Sequence, residues 1–189
     1  MLQLAYPIDD SIEIDGISYE MDMSFDNVLR LIDLMADKDL NDAEKVIIGI
    51  EMMVGVCFLY DINTQADIFT QIFKSTIGKE AEDNRPVDID GNPMPVPDGE
   101  SNKKTYSLKE DAEYIYASFY QDYGVDLIEQ QGKLHWFKFK AMLDGLRSDT
   151  QFKEVINIRT MELPKGKGSS KQRENVKRLK KQYALKGDD

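Results

Sequence analysis

The residue types that could do chemistry are few and badly spaced for it. His135 is the only histidine and Cys57 the only cysteine. As a pair they would make a thiolate nucleophile with an imidazole base, but no local motif accompanies either. Cys57 stands inside the apolar run VIIGIEMMVGVCFLY, where a small buried hydrophobe serves equally well and an inert thiol is expected. His135 precedes Trp136, Phe139, Met142, Leu143 and Leu146, so a packed or hydrogen-bonded histidine is the expectation. The stretch DIDGN, from Asp88, has the look of a calcium loop. With Asp88 as the first ligand, however, Pro93 falls where the tight-turn glycine belongs and Gly99 where the bidentate glutamate belongs, which argues against a metal. Asp and Glu are plentiful but scattered, none in a Glu-x-x-His arrangement. No phosphate loop, dinucleotide-binding glycine fingerprint or nucleophile elbow is present. The expectation is a protein that is not an enzyme and holds no cofactor or metal.

The elements that would position these residues are mainly helical. Ser11-Ile-Glu-Ile and Ile17-Ser-Tyr-Glu-Met flank Asp15-Gly16, a two-residue hairpin signal. A lone hairpin is marginal in water, so it should lie against helices or pair with another chain. Phe25, Val28, Leu29, Ile32 and Met35 form a helical stripe behind Ser24, a candidate N-cap. Asn41 with Glu44 caps a second helix, apolar nearly all round over 46–59 and expected at the centre of the core. Ile68, Phe69, Ile72 and Phe73 stripe a third, ending near Gly78. Residues 80–105, rich in Pro and Gly, predict a mobile loop or linker. Ser107-Leu-Lys-Glu110 is a capping box, followed by a helix presenting Leu108, Ala112, Ile115, Tyr116, Phe119 and Tyr123 and stopped by Gly124. A helix over 134–146, another around Phe152, Val155 and Ile156, and a basic helix over about 171–185 complete the chain. The predicted fold is thus mainly α: a compact helical domain with an N-terminal β-hairpin (α+β, helix-dominated) and a basic C-terminal helix. Its segments are a hairpin with helices over 1–79, the linker, an aromatic-rich helical region over 106–164, and a tail over 165–189.

Two surfaces are candidates for binding. On a wheel of the 134–146 helix, Trp136, Phe139, Leu143 and Leu146 share one face. Leu134, Phe137 and Ala141 lie nearly opposite, either sandwiched in the core or free for a partner. The tail helix carries Lys177, Arg178, Lys180 and Lys181 around a seam of Val176, Leu179 and Tyr183. It suits a solvated tail, an acidic protein face or, less well, nucleic acid. Net charge is −11. Residues 165–186 hold nine Lys/Arg and one Glu, whereas 1–164 hold fifteen Lys/Arg and thirty-two Asp/Glu. So acidic a body repels nucleic acid and anionic membrane. The apolar run 46–60 contains Glu51 and is too short to span a bilayer. The start, MLQLAYPIDD, lacks the basic and apolar regions of a signal peptide, and a single cysteine suits a reducing compartment.

The stretch from Tyr106 to Thr160 resembles a family of small phage and prophage proteins, encoded just ahead of the tape-measure gene in long-tailed phages of Gram-positive bacteria. LHWFKFKAMLDGL carries most of the likeness, with YASFYQDYGVDL, VINIRT, the N-terminal hairpin and RENVKRLKKQYALK in support. Phe137 stands where many relatives have a second tryptophan, which keeps the aromatic character. The resemblance implies a tail-assembly chaperone in the host bacterial cytoplasm. It would coat the tape-measure protein, self-associate, and meet tail-tube subunits as they polymerise. The alternatives are a structural virion subunit, such as a connector or tail-completion protein, and a nucleic-acid-binding regulator acting through the basic tail.

Overall fold

The computed structural model describes residues 4–77, 105–164 and 170–186. The predicted linker, apart from Thr105, and the Lys-Gly-Lys-Gly-Ser stretch before the tail helix lie outside the described residues. The order is β1 (Ser11–Ile14), β2 (Ile17–Glu20), α1 (Phe25–Ala36), α2 (Asp42–Val54), α3 (Ile62–Thr76), α4 (Ala112–Tyr123), α5 (Trp136–Asp144), α6 (Gln151–Thr160) and α7 (Ser170–Gln182). The protein is helix-dominated with an N-terminal antiparallel hairpin. The described residues form two compact units that do not follow the chain in sequence. One is built from 4–77 and 131–140, the other from 105–130, 141–164 and 170–186. No helix among the described residues is long and apolar enough to cross a membrane.

In the first unit, Asp15 and Gly16 both take positive φ, 51° and 76°, as a tight two-residue hairpin turn requires. The register Ile12↔Tyr19 and Ile14↔Ile17 puts these four residues on one sheet face, and Ile12 and Ile14 are buried. Tertiary bonds hold this otherwise marginal ribbon: Met21 N donates to Asp10 O at 2.9 Å, Asp22 N to Met53 O at 2.7 Å, and Tyr60 Oη to Asp15 Oδ2 at 2.6 Å. The buried side of α1 is Phe25, Val28 and Leu31; Leu29 and Ile32 are only half-buried and Met35 is exposed. Buried Asn27 donates to the carbonyls of Asp22 and Met52 at 3.0 and 2.9 Å, tying α1 to the end of α2.

At α2, Asn41 Oδ1 accepts from Glu44 N at 3.0 Å and Glu44 Oε2 from Asn41 N at 2.8 Å, the reciprocal cap expected. The expected length and position of this helix need correction. It ends at Val54, where Gly55 turns left-handed with φ 72°, and within it only Gly49, Ile50 and Met53 are buried. Residues 56–60 form a loop, with Val56, Cys57, Leu59 and Tyr60 exposed. Helix α3 packs on α2, with Phe69 against Gly49, and buries Ile68, Phe69 and Ile72.

In the second unit, Ser107 Oγ accepts from Glu110 N at 3.2 Å, but α4 itself begins a residue beyond that box, behind Asp111. Ile115 and Phe119 are its buried residues together with Ser118. The Ser118 hydroxyl accepts from Phe152 N at 3.1 Å and donates to Tyr114 O at 2.7 Å, locking the start of α6 onto α4. Gly124 ends α4 in the left-handed conformation, φ 63°, as expected.

Candidate protein-interaction surfaces

Helix α5 is placed from its first residue. Just before it, His135 forms an isolated antiparallel bridge with Ser24: Phe25 N donates to Leu134 O at 2.9 Å and Trp136 N to Met23 O at 2.7 Å. Ser24 has N-cap backbone geometry without a side-chain cap bond, and the Leu134 carbonyl takes the first N–H of α1. Leu134 therefore stands outside the helix expected over 134–146, half-buried, its backbone serving α1. His135 Nδ1 accepts from Phe137 N at 3.0 Å. That bond needs the Nδ1 lone pair, so the ring proton sits on Nε2, which donates to Asp10 Oδ1 at 2.9 Å. The imidazole caps α5 and joins it to the segment before β1; with both nitrogens engaged it is no base for Cys57. The Cys57 thiol is exposed rather than buried, and hydrogen bonding to Glu51 pushes its pKa up, away from the reactive thiolate.

Of the aromatic stripe, Trp136 and Phe139 are buried in the first unit and Leu143 and Leu146 in the second. Phe139 stacks on Phe25 and Trp136 at 5.0 and 5.7 Å between centroids. On the opposite side of α5, Phe137 is half-buried against the His135 ring at 5.2 Å, and Ala141 is exposed. The helix brings Phe137 and Ala141 to one face, four residues apart; Leu134 stands before the helix, its carbonyl bonded to Phe25 N.

The basic helix α7 is seated on α6. Arg159 makes a two-pronged ion pair with Asp111, both N–O distances 2.7 Å. Its Nε donates to Tyr183 O at 2.6 Å and its Nη1 to Thr105 O at 3.1 Å. Asp111 is 1% exposed and also accepts from Ser107 N at 2.9 Å. This hydrogen-bonded pairing holds the Arg159 guanidinium above its ordinary, already high pKa. Tyr183 meets Tyr114 edge to face at 6.2 Å, Glu110 accepts from Lys186 N at 2.7 Å, and Leu185 is buried. Val176 and Leu179 are half-buried along the seam. Lys177, Arg178 and Lys181 are exposed and Lys180 half-buried, leaving a cationic outer face.

The exposed apolar residues were not legible as a group. Leu59 is fully exposed, Leu4 is 99% exposed, and Tyr6, Ile128 and Tyr120 are each more than half exposed. Leu59 sits in the loop after Gly55, where Phe58 stacks on Tyr60 at 5.5 Å and meets Tyr19 edge to face at 5.3 Å; Gly55 was the signal that the apolar run leaves the helix there. Among the described residues no group of three His, Cys, Asp or Glu could hold a metal ion.

A family model described as Bacteriophage Gp15 protein matches residues 7–185. No curated protein and no solved structure matches. The matched span runs from just before the hairpin to Leu185, the anchor behind α7, and the chain belongs to the bacteriophage Gp15 protein family.

Proposed function

We propose that this phage protein is a tail-assembly chaperone, a non-enzymatic morphogenesis protein that binds and coats the tape-measure protein before the tube polymerises around it. The observation that carries the reading is the exposed apolar side chains on both units, Leu4, Tyr6 and Leu59 on one and Tyr120 and Ile128 on the other. Single exposed apolar groups are ordinary. A full-length solvated leucine at a loop tip beside an aromatic stack is a contact group suited to an apolar partner. The Phe137–Ala141 face of α5 adds an aromatic site of the kind that receives an amphipathic helix. Family membership supports a phage role, and the resemblance of the α5 region supports the tape-measure partner.

The test is co-expression with the tape-measure protein of the same phage. The expected result is a soluble tape measure that co-purifies with several copies of this chain. Phe137→Asp should reduce both the soluble fraction and the number of copies retained while circular dichroism stays that of the wild type. A tape measure that aggregates equally with and without the wild-type chain would remove the proposal. The competing reading, a structural virion subunit, is favoured instead if the chain is found stoichiometrically in purified particles.

A further inference from the structure

We infer that the outer face of α7 docks on the first unit of a second copy of this chain, so that copies join head to tail. The face is built, and its cations lack carboxylate partners among the described residues; Arg178 Nη2 donates to Asn175 Oδ1 at 3.0 Å. Arg159 and Tyr183 fix the end of α7, and its seam of Val176, Leu179 and Tyr183 is turned to its own unit. Lys177, Arg178 and Lys181, at helical spacing, are exposed.

The occupant follows from charge. Residues 170–186 hold seven Lys/Arg and one Glu, whereas the described residues of the first unit hold fifteen Asp/Glu and seven Lys/Arg. That unit also offers a shaped receiver, a cleft of about 190 Å³ between the hairpin turn and α3. Glu13, Asp15 and Asp67 supply its charge, and Ile14, Tyr60 and Ile68 its apolar walls. Lysine and arginine fit such a site because their aliphatic stems lie along apolar walls while their heads reach carboxylates. Donor and receiver are different surfaces; where they engage two different neighbours the contact is heterologous and makes a ring or an open array. An array is what coating a long partner needs. The inference thus extends the chaperone reading, yet its test uses this chain alone and can fail while tape-measure solubilisation succeeds.

Sedimentation velocity of the full chain in about 10 mM and about 1 M salt compares Debye lengths of about 30 Å and about 3 Å. Concentration-dependent association is expected at low salt and the monomer at high salt. Lys177→Glu with Arg178→Glu and Lys181→Glu should be monomeric at low salt, as should Glu13→Lys with Asp67→Lys, each with wild-type circular dichroism. An equimolar mixture of the two variants should associate again, since the reversed helix then meets the reversed cleft. A wild type that is monomeric at low salt overturns the inference, as do reversals that leave association unchanged or a mixture that stays monomeric. If a short DNA duplex binds the wild type and not the reversed helix while self-association is unaltered, the face belongs to a polyanion and the inference falls.

Discussion

The side chain that organises the second unit is Arg159, which bonds to Asp111 and to the carbonyls of Thr105 and Tyr183. Only arginine has a planar fork able to hold a carboxylate bidentately while spending its remaining donors elsewhere. Removing Asp111 leaves that cation largely buried without a counter-charge. Asp111→Ala should therefore cost about 3–5 kcal/mol, read as a lower urea midpoint. Asp111→Leu with Arg159→Met should recover much of the loss, because a shape-matched apolar pair removes both charges together. Asp122 is a different case. Its carboxylate accepts from Arg147 N at 2.8 Å and pairs with the guanidinium at 2.7 Å. The backbone bond first, and the side-chain bond and charge with it, hold its pKa below the ordinary value. A depressed folded pKa stabilises above the unfolded value, near about 3.9, and that stabilisation is lost as pH falls through the folded value. Asp122→Asn should therefore lower stability at neutral pH and flatten the acid limb below about pH 4, so that the difference from the wild type vanishes in acid.

At the scale of elements, a glycine within α2 and the glycine that caps it separate packing from backbone geometry. A Cβ at Gly49 would stand 2.4 Å from Phe69 Cε2, so the close approach of α2 and α3 depends on its absence. Helix propensity alone favours Gly49→Ala by about 1 kcal/mol. Overpacking against a rigid, buried ring costs about 1–3 kcal/mol, and the clash is severe enough that it should win. Thermal melts should show Gly49→Ala destabilised, and adding Phe69→Leu should lessen the penalty. Gly55 has nothing within 4 Å of its Cβ position but φ +72°, so Gly55→Ala should cost about 1–2 kcal/mol through conformation alone. These positions also mark what was legible in the sequence. Asp15-Gly16, Asn41 with Glu44, and Gly124 encode their structures locally, by the turn φ they permit or the cap they supply, and each behaves as expected. Gly55 carried an equally local stop signal, but the apolar run on both sides of it suggested continuous burial. Leu134 and Arg159 were beyond local reading: one pairs with a segment about 110 residues earlier, the other with Asp111. Nothing near either residue specifies such long-range partners. The candidate face on α5 was legible only in part, for the same reason. Periodicity put Phe137 and Ala141 together but could not show that the Leu134 carbonyl is taken by Phe25 N beside the Ser24–His135 bridge.

At the scale of the molecule, solubility and stickiness have to coexist. Leu4, Tyr6, Leu59 and Ile128 stand in solvent, and alone they invite aggregation. A net charge of −11 opposes that by repulsion between copies, while short apolar contacts remain available to a partner that is not acidic. A tape measure to be coated is long, and its coat must leave as tube subunits arrive. Many weak contacts meet both demands, since neighbours raise the effective concentration of each contact while any one copy can still be displaced. Tight single-site binding would stall the tube. The proposal therefore predicts where the protein is found in time. Cells sampled before tail completion should yield a complex of tape measure with many copies of this chain, whereas purified virions should contain none by quantitative mass spectrometry. Weakening the exposed contacts singly, for example by Leu59→Ser, should lower the number of copies retained without abolishing the complex, as expected when avidity is shared. Complete loss from one such change would point to a single tight site, and copies retained in finished particles would point to a tail component.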